Sequence, residues 1–251
     1  MPEKLWHLKN CNLFQQLSPE EFEKLEAPSR SRTYPAHTPI YLPDQKLDSI
    51  FLVAEGLVKV SNLSSDGKES ILAFLEPGEV FGELALVDIK EQFELVEAVE
   101  RTTVVMIPAN ILRQLLSSST DVSLAVTKLV GLRRQRIEQR LRNLMFHSTR
   151  ERLIHLLLDM VEQFGQESPQ GVRLRIKLSH QDLGNLIGAT RETVTSLLCQ
   201  LRAEGVVEYK RCKVIVTNTS RLAKSVQRTV RVPAPHSNPS SETGRSRSVM
   251  L

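Results

Sequence analysis

The sequence is poor in what disulfide scaffolds, metal centres and membrane spans require. Its three cysteines, Cys11, Cys199 and Cys212, are odd in number and share no metal-ligand spacing. They read as reduced thiols of a cytoplasmic protein. No apolar run approaches the roughly 18 residues of a membrane helix. Residues 1–10 are too polar for a signal peptide. Ser179 and His180 are neighbours, but a helix cap and a first-turn residue account for them. No nucleophile–base pair, phosphate loop or metal spacing appears. These absences leave no catalytic and no metal-binding residues to name, so the chain does not read as an enzyme. A long internal repeat is also missing.

What is present is a core and a charge asymmetry. Over 251 residues, a hydrophobic fraction of 41% supports one large domain or two smaller ones. Residues 1–127 hold 11 lysines and arginines against 19 acids, a net of −8. Residues 128–251 hold 22 against 10, a net of +12. An acidic half joined to a basic half implies that only the second meets a polyanion.

The basic half contains the most informative stretch, residues 178–207. Ser179 caps a short helix, and Asp182 adds negative charge to its first turn. Leu183, Leu186 and Ile187 share a face. Gly188-Ala189 breaks the helix, because glycine tolerates the left-handed backbone that a sharp turn needs. Thr190 caps a second helix whose apolar face is Val194, Leu197, Leu198 and Leu201. Its other face begins with Arg191, Glu192, Thr195 and Ser196. This is a helix-turn-helix layout, which presents those residues to base edges in the major groove of double-stranded DNA. A plain helical hairpin in a core would leave Arg191 and Glu192 without a task. Two β-branched runs then flank Lys210-Arg211-Cys212-Lys213, a hairpin with a basic tip suited to phosphates.

Along the rest of the chain, Trp6 to Ala27 reads as amphipathic helix, with Ser18-Pro19-Glu20-Glu21 opening a new helix. Residues 40–42, 49–53, 57–60, 70–75 and 103–107 read as short strands between turn signals, which implies a small antiparallel barrel or roll. Residues 111–116 form a short helix. From about Asp121 to Phe146 runs a long one, in which Val126, Val130, Ile137, Leu141 and Leu144 approach a heptad seam. That seam serves either a packing strut or a homodimer interface. His147-Ser148 is a hinge, and Ser148-Thr-Arg-Glu151 is a capping box for a fresh helix reaching Phe164. Gly165 to Gly171 reads as loop and 172–177 as strand. After Arg221 the chain turns Ser-, Pro- and Arg-rich and is expected to be disordered.

The order roll, long helix, winged helix-turn-helix resembles the CRP/FNR superfamily of bacterial transcription regulators from about Leu13 to Thr217. Three segments carry the resemblance: Glu55-Gly-Leu-Val-Lys-Val60, Pro77-Gly-Glu-Val-Phe-Gly-Glu-Leu-Ala-Leu86 and Gly188-Ala-Thr-Arg-Glu-Thr-Val194. The resemblance implies an α+β fold: an N-terminal antiparallel β-roll (jelly-roll-like), a long dimerisation helix and a C-terminal winged helix-turn-helix. The domains are then a sensor at 1–120, the dimer helix at 121–147, the DNA-binding domain at 148–220 and a basic tail at 221–251. It also implies a homodimer that reads a palindrome and works with RNA polymerase. The DNA-binding set on this reading is Ser179, His180, Thr190, Arg191, Glu192, Thr195, Ser196, Lys210, Arg211 and Lys213. In cyclic-AMP-binding members, the residues matching Arg191, Glu192 and Ser196 read TGTGA.

The effector site implied by the resemblance comprises Phe81, Gly82, Glu83, Leu84, Gln92, Phe93, Arg133, Ile137 and Glu138. Glu83 matches a ribose-binding glutamate and Gly82 a backbone phosphate contact. The sequence departs from the cyclic-AMP pattern where the phosphate and purine are held. Gln92 and Phe93 replace an Arg-Ser pair, Ile137 and Glu138 replace a Thr-Ser pair, and no arginine lies between Arg32 and Arg101. A buried phosphate needs a charge-assisted partner. Cyclic AMP is therefore not the expected effector. An iron–sulfur cluster needs four thiolates, which are not there. His7 and His37 sit in no context that suggests haem. What is left is an unidentified small molecule, such as an anion meeting Arg133, or no ligand; Arg133 could equally be a solvated flank of the seam.

Overall fold

Two adjacent layers explain why the third strand is apolar on both faces. The computed structural model describes residues 3–11, 13–15, 17–87 and 93–230, and forms two compact units, residues 1–142 and 143–251. The first unit begins with helices α1 (Glu3–Asn10) and α2 (Pro19–Glu26). Then come strands β1 (Arg30–Tyr34), β2 (Thr38–Tyr41), β3 (Ser49–Glu55), β4 (Val58–Leu63), β5 (Glu69–Leu75) and β6 (Val80–Phe81). A 3₁₀ turn (Glu83–Leu86) precedes β7 (Glu94–Ala98) and β8 (Thr102–Pro108), and α3 (Ala109–Ser118) and α4 (Thr120–Phe146) follow. The strands form two four-stranded sheets, in the orders β1-β8-β3-β6 and β2-β7-β4-β5. Every pairing is antiparallel.

Side chains alternate across a strand. From β3 and β8, Phe51, Val53 and Val104 join Val58 and Val96 of the second sheet in one core. Their neighbours Ile50, Leu52, Ala54, Val105 and Ile107 join Leu8, Leu25 and Leu112 of the helices in another. A strand buried on both sides must be apolar throughout, as Ile50–Ala54 is. The roll expected from the sequence is present, with three strands that pattern reading passed over. β1 is polar and exposed except at Tyr34, β6 has only two residues, and β7 alternates too briefly to be told from a loop. The amphipathic stretch from Trp6 to Ala27 is two separate helices; Ser18 caps the second, with Glu21 closing a capping box.

α4 is held to the roll in two ways. Its first turns are apolar: Val122 is buried, and Ala125, Val126 and Leu129 pack on the core below. Val126 therefore belongs to the roll and not to an outward seam, a correction to its place in the heptad. The cause is the start of the helix, which lies on the helical layer. Beyond Leu129 the grip is polar. Arg133 donates to the Val80 carbonyl and pairs with Glu83. Arg136 lies 3.6 Å from Glu79. Arg140 donates to the Ile71 carbonyl. Leu132, Ile137 and Leu141 of this stretch are exposed, Ile137 to 68%.

In the second unit, α5 (Thr149–Phe164) starts at the Ser148–Glu151 capping box. β9 (Gly165–Ser168) and β10 (Gly171–Leu174) precede α6 (His180–Ile187), α7 (Arg191–Ala203), β11 (Val207–Lys210), β12 (Lys213–Val216) and α8 (Thr219–Ser225). Its sheet runs β11-β12-β10-β9. Two expectations change here. The segment read as loop, 165–171, contributes β9, whose Gln-Glu-Ser sequence carries no apolar signal. The chain also does not become disordered at Arg221. Leu222 and Ala223 are buried in α8, and Arg228 reaches Asp159 at 2.6 Å and Glu162 at 2.8 Å on α5. Residues 231–251 of the expected tail lie outside the described residues. No described helix is long and apolar enough to cross a membrane.

Candidate nucleic-acid interface and sensor roll

The turn between α6 and α7 is built from two glycines. Gly188 ends α6 in the left-handed region at φ 65°. Gly184, one turn earlier, lets the chain fold back: a Cβ there would lie 2.6 Å from the Ala189 carbonyl oxygen. The Ala189 N–H donates to Gly184 O at 3.0 Å. Sequence reading singled out Gly188 and missed Gly184, although a glycine four residues before the turn was the signal.

Capping then orients both helices. Ser179 Oγ accepts from the Asp182 N–H at 3.0 Å, and the Asp182 carboxylate accepts from the Ser179 N–H at 2.8 Å. Thr190 Oγ1 accepts from the Thr193 N–H at 3.2 Å. Ser179 and Thr190, both expected at the DNA, thus spend their hydroxyls on helix ends. Val194, Leu198 and Leu201 are buried, which turns Arg191, Glu192 and Ser196 out to solvent. The backbone N–H at the start of α7 holds the Glu192 carboxyl below its ordinary range, so it stands ready as an acceptor. Thr195 is half-buried, and its hydroxyl donates to the Arg191 carbonyl and meets His180 Nδ1 at 2.7 Å.

The β11–β12 hairpin turns at Arg211 and Cys212, both at positive φ, 50° and 63°. Such a two-residue turn matches the twist of the paired strands. Lys210, Arg211 and Lys213 are all exposed on it. A helix start offering a guanidinium and a carboxylate, with a cationic hairpin tip in the same unit, suits base edges and phosphates respectively.

In the first unit the sensor residues are partly gathered. Gly82 adopts φ 76° against Phe51, whose Cδ2 would lie 2.9 Å from an added Cβ. Phe81 is buried and stacks on Phe51 at 5.1 Å and Tyr41 at 6.2 Å, so it fills the core. Tyr41 donates to Glu94 at 2.9 Å. Burial, then the neighbouring Glu94, pushes the Tyr41 hydroxyl up, and burial raises the Glu94 carboxyl too. Glu94 and Tyr41 were not singled out from sequence; no pattern links residues on β7 and β2. Leu84 is half-buried in the 3₁₀ turn and Glu83 pairs with Arg133. Phe93 is 59% exposed and so does not line the interior, a correction that follows from its place just before β7. Gln92 lies outside the described residues. Ile137 and Glu138 are exposed, and Glu138 pairs with Arg134 at 2.7 Å. Among the described residues no group of acids, histidines and cysteines could hold a metal ion.

Comparison with known proteins matches the cyclic nucleotide-binding domain family over residues 31–119 and the Crp-like helix-turn-helix domain family over residues 151–225. The chain is 31% identical over 194 residues to the global nitrogen regulator of Synechocystis sp., covering 76% of this chain and 86% of that protein. It is 31% identical over 200 residues to the cyclic AMP receptor protein of Thermus thermophilus, covering 80% and 89%. The solved structure of the c-di-GMP responsive global regulator CLP of Xanthomonas campestris shares the fold, with a TM-score of 0.71 at 24% identity over 80% of this chain and all of that one.

Proposed function

Because this chain belongs to the CRP/FNR family of DNA-binding transcription regulators, we propose that it acts as a homodimer on TGTGA-like palindromes. One observation carries the reading: Arg191 and Glu192 stand exposed, side by side, at the capped start of α7. Arg191 has the fork that bonds both guanine acceptors, and Glu192 accepts from the cytosine amino group. Ser196 is short, so the inner guanine of the half-site is loosened. The dimer forms through the outward side of α4, and a two-fold dimer spaces its half-sites by about one helical turn, roughly 10 base pairs. The regulator works with RNA polymerase.

The relatives' names point to different signals, and the residues of this roll support a reading without cyclic AMP. An internal arginine already neutralises Glu83, the exposed Phe93 supplies no anion partner, and the half-buried Glu94 adds a second carboxyl. A cyclic phosphodiester entering this roll meets more carboxyl groups than free guanidinium. Titration calorimetry with cyclic AMP is expected to give no constant at micromolar or tighter; such a constant would overturn the effector reading. Selection of sites from a random duplex pool tests the rest. A two-fold consensus with an invariant guanine in each half-site is expected, and a consensus without symmetry would sink the dimer.

A further inference from the structure

We infer that His180 is a positioning residue that makes the Thr195 hydroxyl a fixed hydrogen-bond acceptor in the major groove. The inference rests on the reading that α7 enters that groove. Its basis is a proton count. A threonine hydroxyl has one proton to donate. That of Thr195 goes to the Arg191 carbonyl at 2.8 Å. The 2.7 Å contact between Thr195 Oγ1 and His180 Nδ1 therefore takes its proton from the histidine. The network assigns His180 the tautomer with Nδ1 protonated and Nε2 bare, and Nε2 is indeed buried without a partner.

The surroundings fix the ring in place and keep it neutral. The imidazole lies 4.4 Å from the Tyr209 ring of β11, and the Tyr209 hydroxyl donates to the Leu178 carbonyl at 3.0 Å. His180 thus ties α6 to the basic hairpin through the ring contact and to α7 through Thr195. Burial, then the charge of Arg191, holds the imidazole below its ordinary pKa, so the ring is neutral near pH 7.

The consequence is a polarity. A free threonine hydroxyl serves a donor or an acceptor on a base edge alike. With its proton committed and one lone pair taken by His180, Thr195 keeps a single lone pair. It accepts from the amino group of adenine or cytosine, and it repels the acceptor atoms of guanine and the O4 of thymine. His180 touches no base in this scheme. It sets which bases Thr195 tolerates.

The experiment has a part without DNA and a part with it. Nitrogen NMR of the free full-length protein reads the tautomer; a proton on Nδ1 is expected, and a proton on Nε2 overturns the inference. Random-pool selection then compares the native protein with His180→Asn, His180→Gln and His180→Ala. The asparagine amide nitrogen overlies Nδ1, and the glutamine nitrogen reaches where Nε2 lies. Native and Asn proteins are expected to share a preference for amino-bearing bases beside Thr195, of roughly 3- to 10-fold. Gln and Ala proteins are expected to lose it while keeping the guanine set by Arg191. Rescue by Gln but not Asn would make His180 a direct contact and defeat the proposal, as would an unchanged preference in the Ala protein. Should Arg191→Ala leave the native consensus intact, the groove placement itself fails, and the tautomer still judges His180 separately.

Discussion

A protein carrying Ile137→Glu and Leu141→Glu is expected to run as a monomer in light scattering and to lose the palindrome. Both positions are exposed in the single chain, 68% and 55%, and lie one turn apart on α4. Burying such side chains stabilises association by about 1.5–3 kcal/mol each. A two-fold axis presents each substitution twice, so four carboxylates would enter one apolar seam. Leu144 is a poorer choice for the test, because its Cδ2 lies 3.4 Å from where a Cβ at Gly188 would sit, against the turn of the second unit. Two linked recognition helices gain affinity through effective concentration, commonly about 10²–10⁴-fold. The monomer should lose a factor of that order at a palindrome and little at an isolated half-site. An unchanged dimer in scattering would place the interface elsewhere.

The second large effect belongs to Arg191. Arg191→Ala is expected to cost about 1–3 kcal/mol at the guanine it reads, because the neighbouring Glu192 and Ser196 cannot supply its two parallel donors. The penalty should vanish on duplexes where that guanine is already replaced. Lys213→Ala, on the exposed hairpin tip, should weaken all duplexes evenly and flatten the dependence on salt. Gel retardation of both proteins on matched and mismatched duplexes separates the patterns. A uniform loss for Arg191→Ala would move it from the base edges to the phosphates.

The sequence was most legible where one residue type has one physical use. Ser18, Ser148, Ser179 and Thr190 announce helix starts, and each caps the helix that follows. Runs such as Ile50–Ala54 announce a strand. What stayed hidden depends on partners distant in the chain. β1 pairs with β8 across some seventy residues, Arg30 with Met106, and its own composition gives no hint. Arg133 read as an anion ligand or a solvated flank; the fold gives it Glu83 and the Val80 carbonyl. Thr195 read only as part of the polar face of its helix, because nothing in the spacing from residue 180 to 195 shows that α6 brings a histidine to it. Leu222 and Ala223 looked too isolated to bury anything until α5 supplied the surface.

The two grips on α4 answer differently to dissolved ions. Guanidinium contacts along Arg133, Arg136 and Arg140 are directional and weaken under electrostatic screening, and the exposed Arg136–Glu79 pair should yield first. The apolar start of the helix, with Val122 buried and Ala125, Val126 and Leu129 on the core, is not weakened by screening, and strongly hydrated salts such as sulfate tighten its burial. Ionic strength therefore acts on this helix as a clutch. It can loosen the polar far half of the shaft while the apolar first turns stay engaged with the roll.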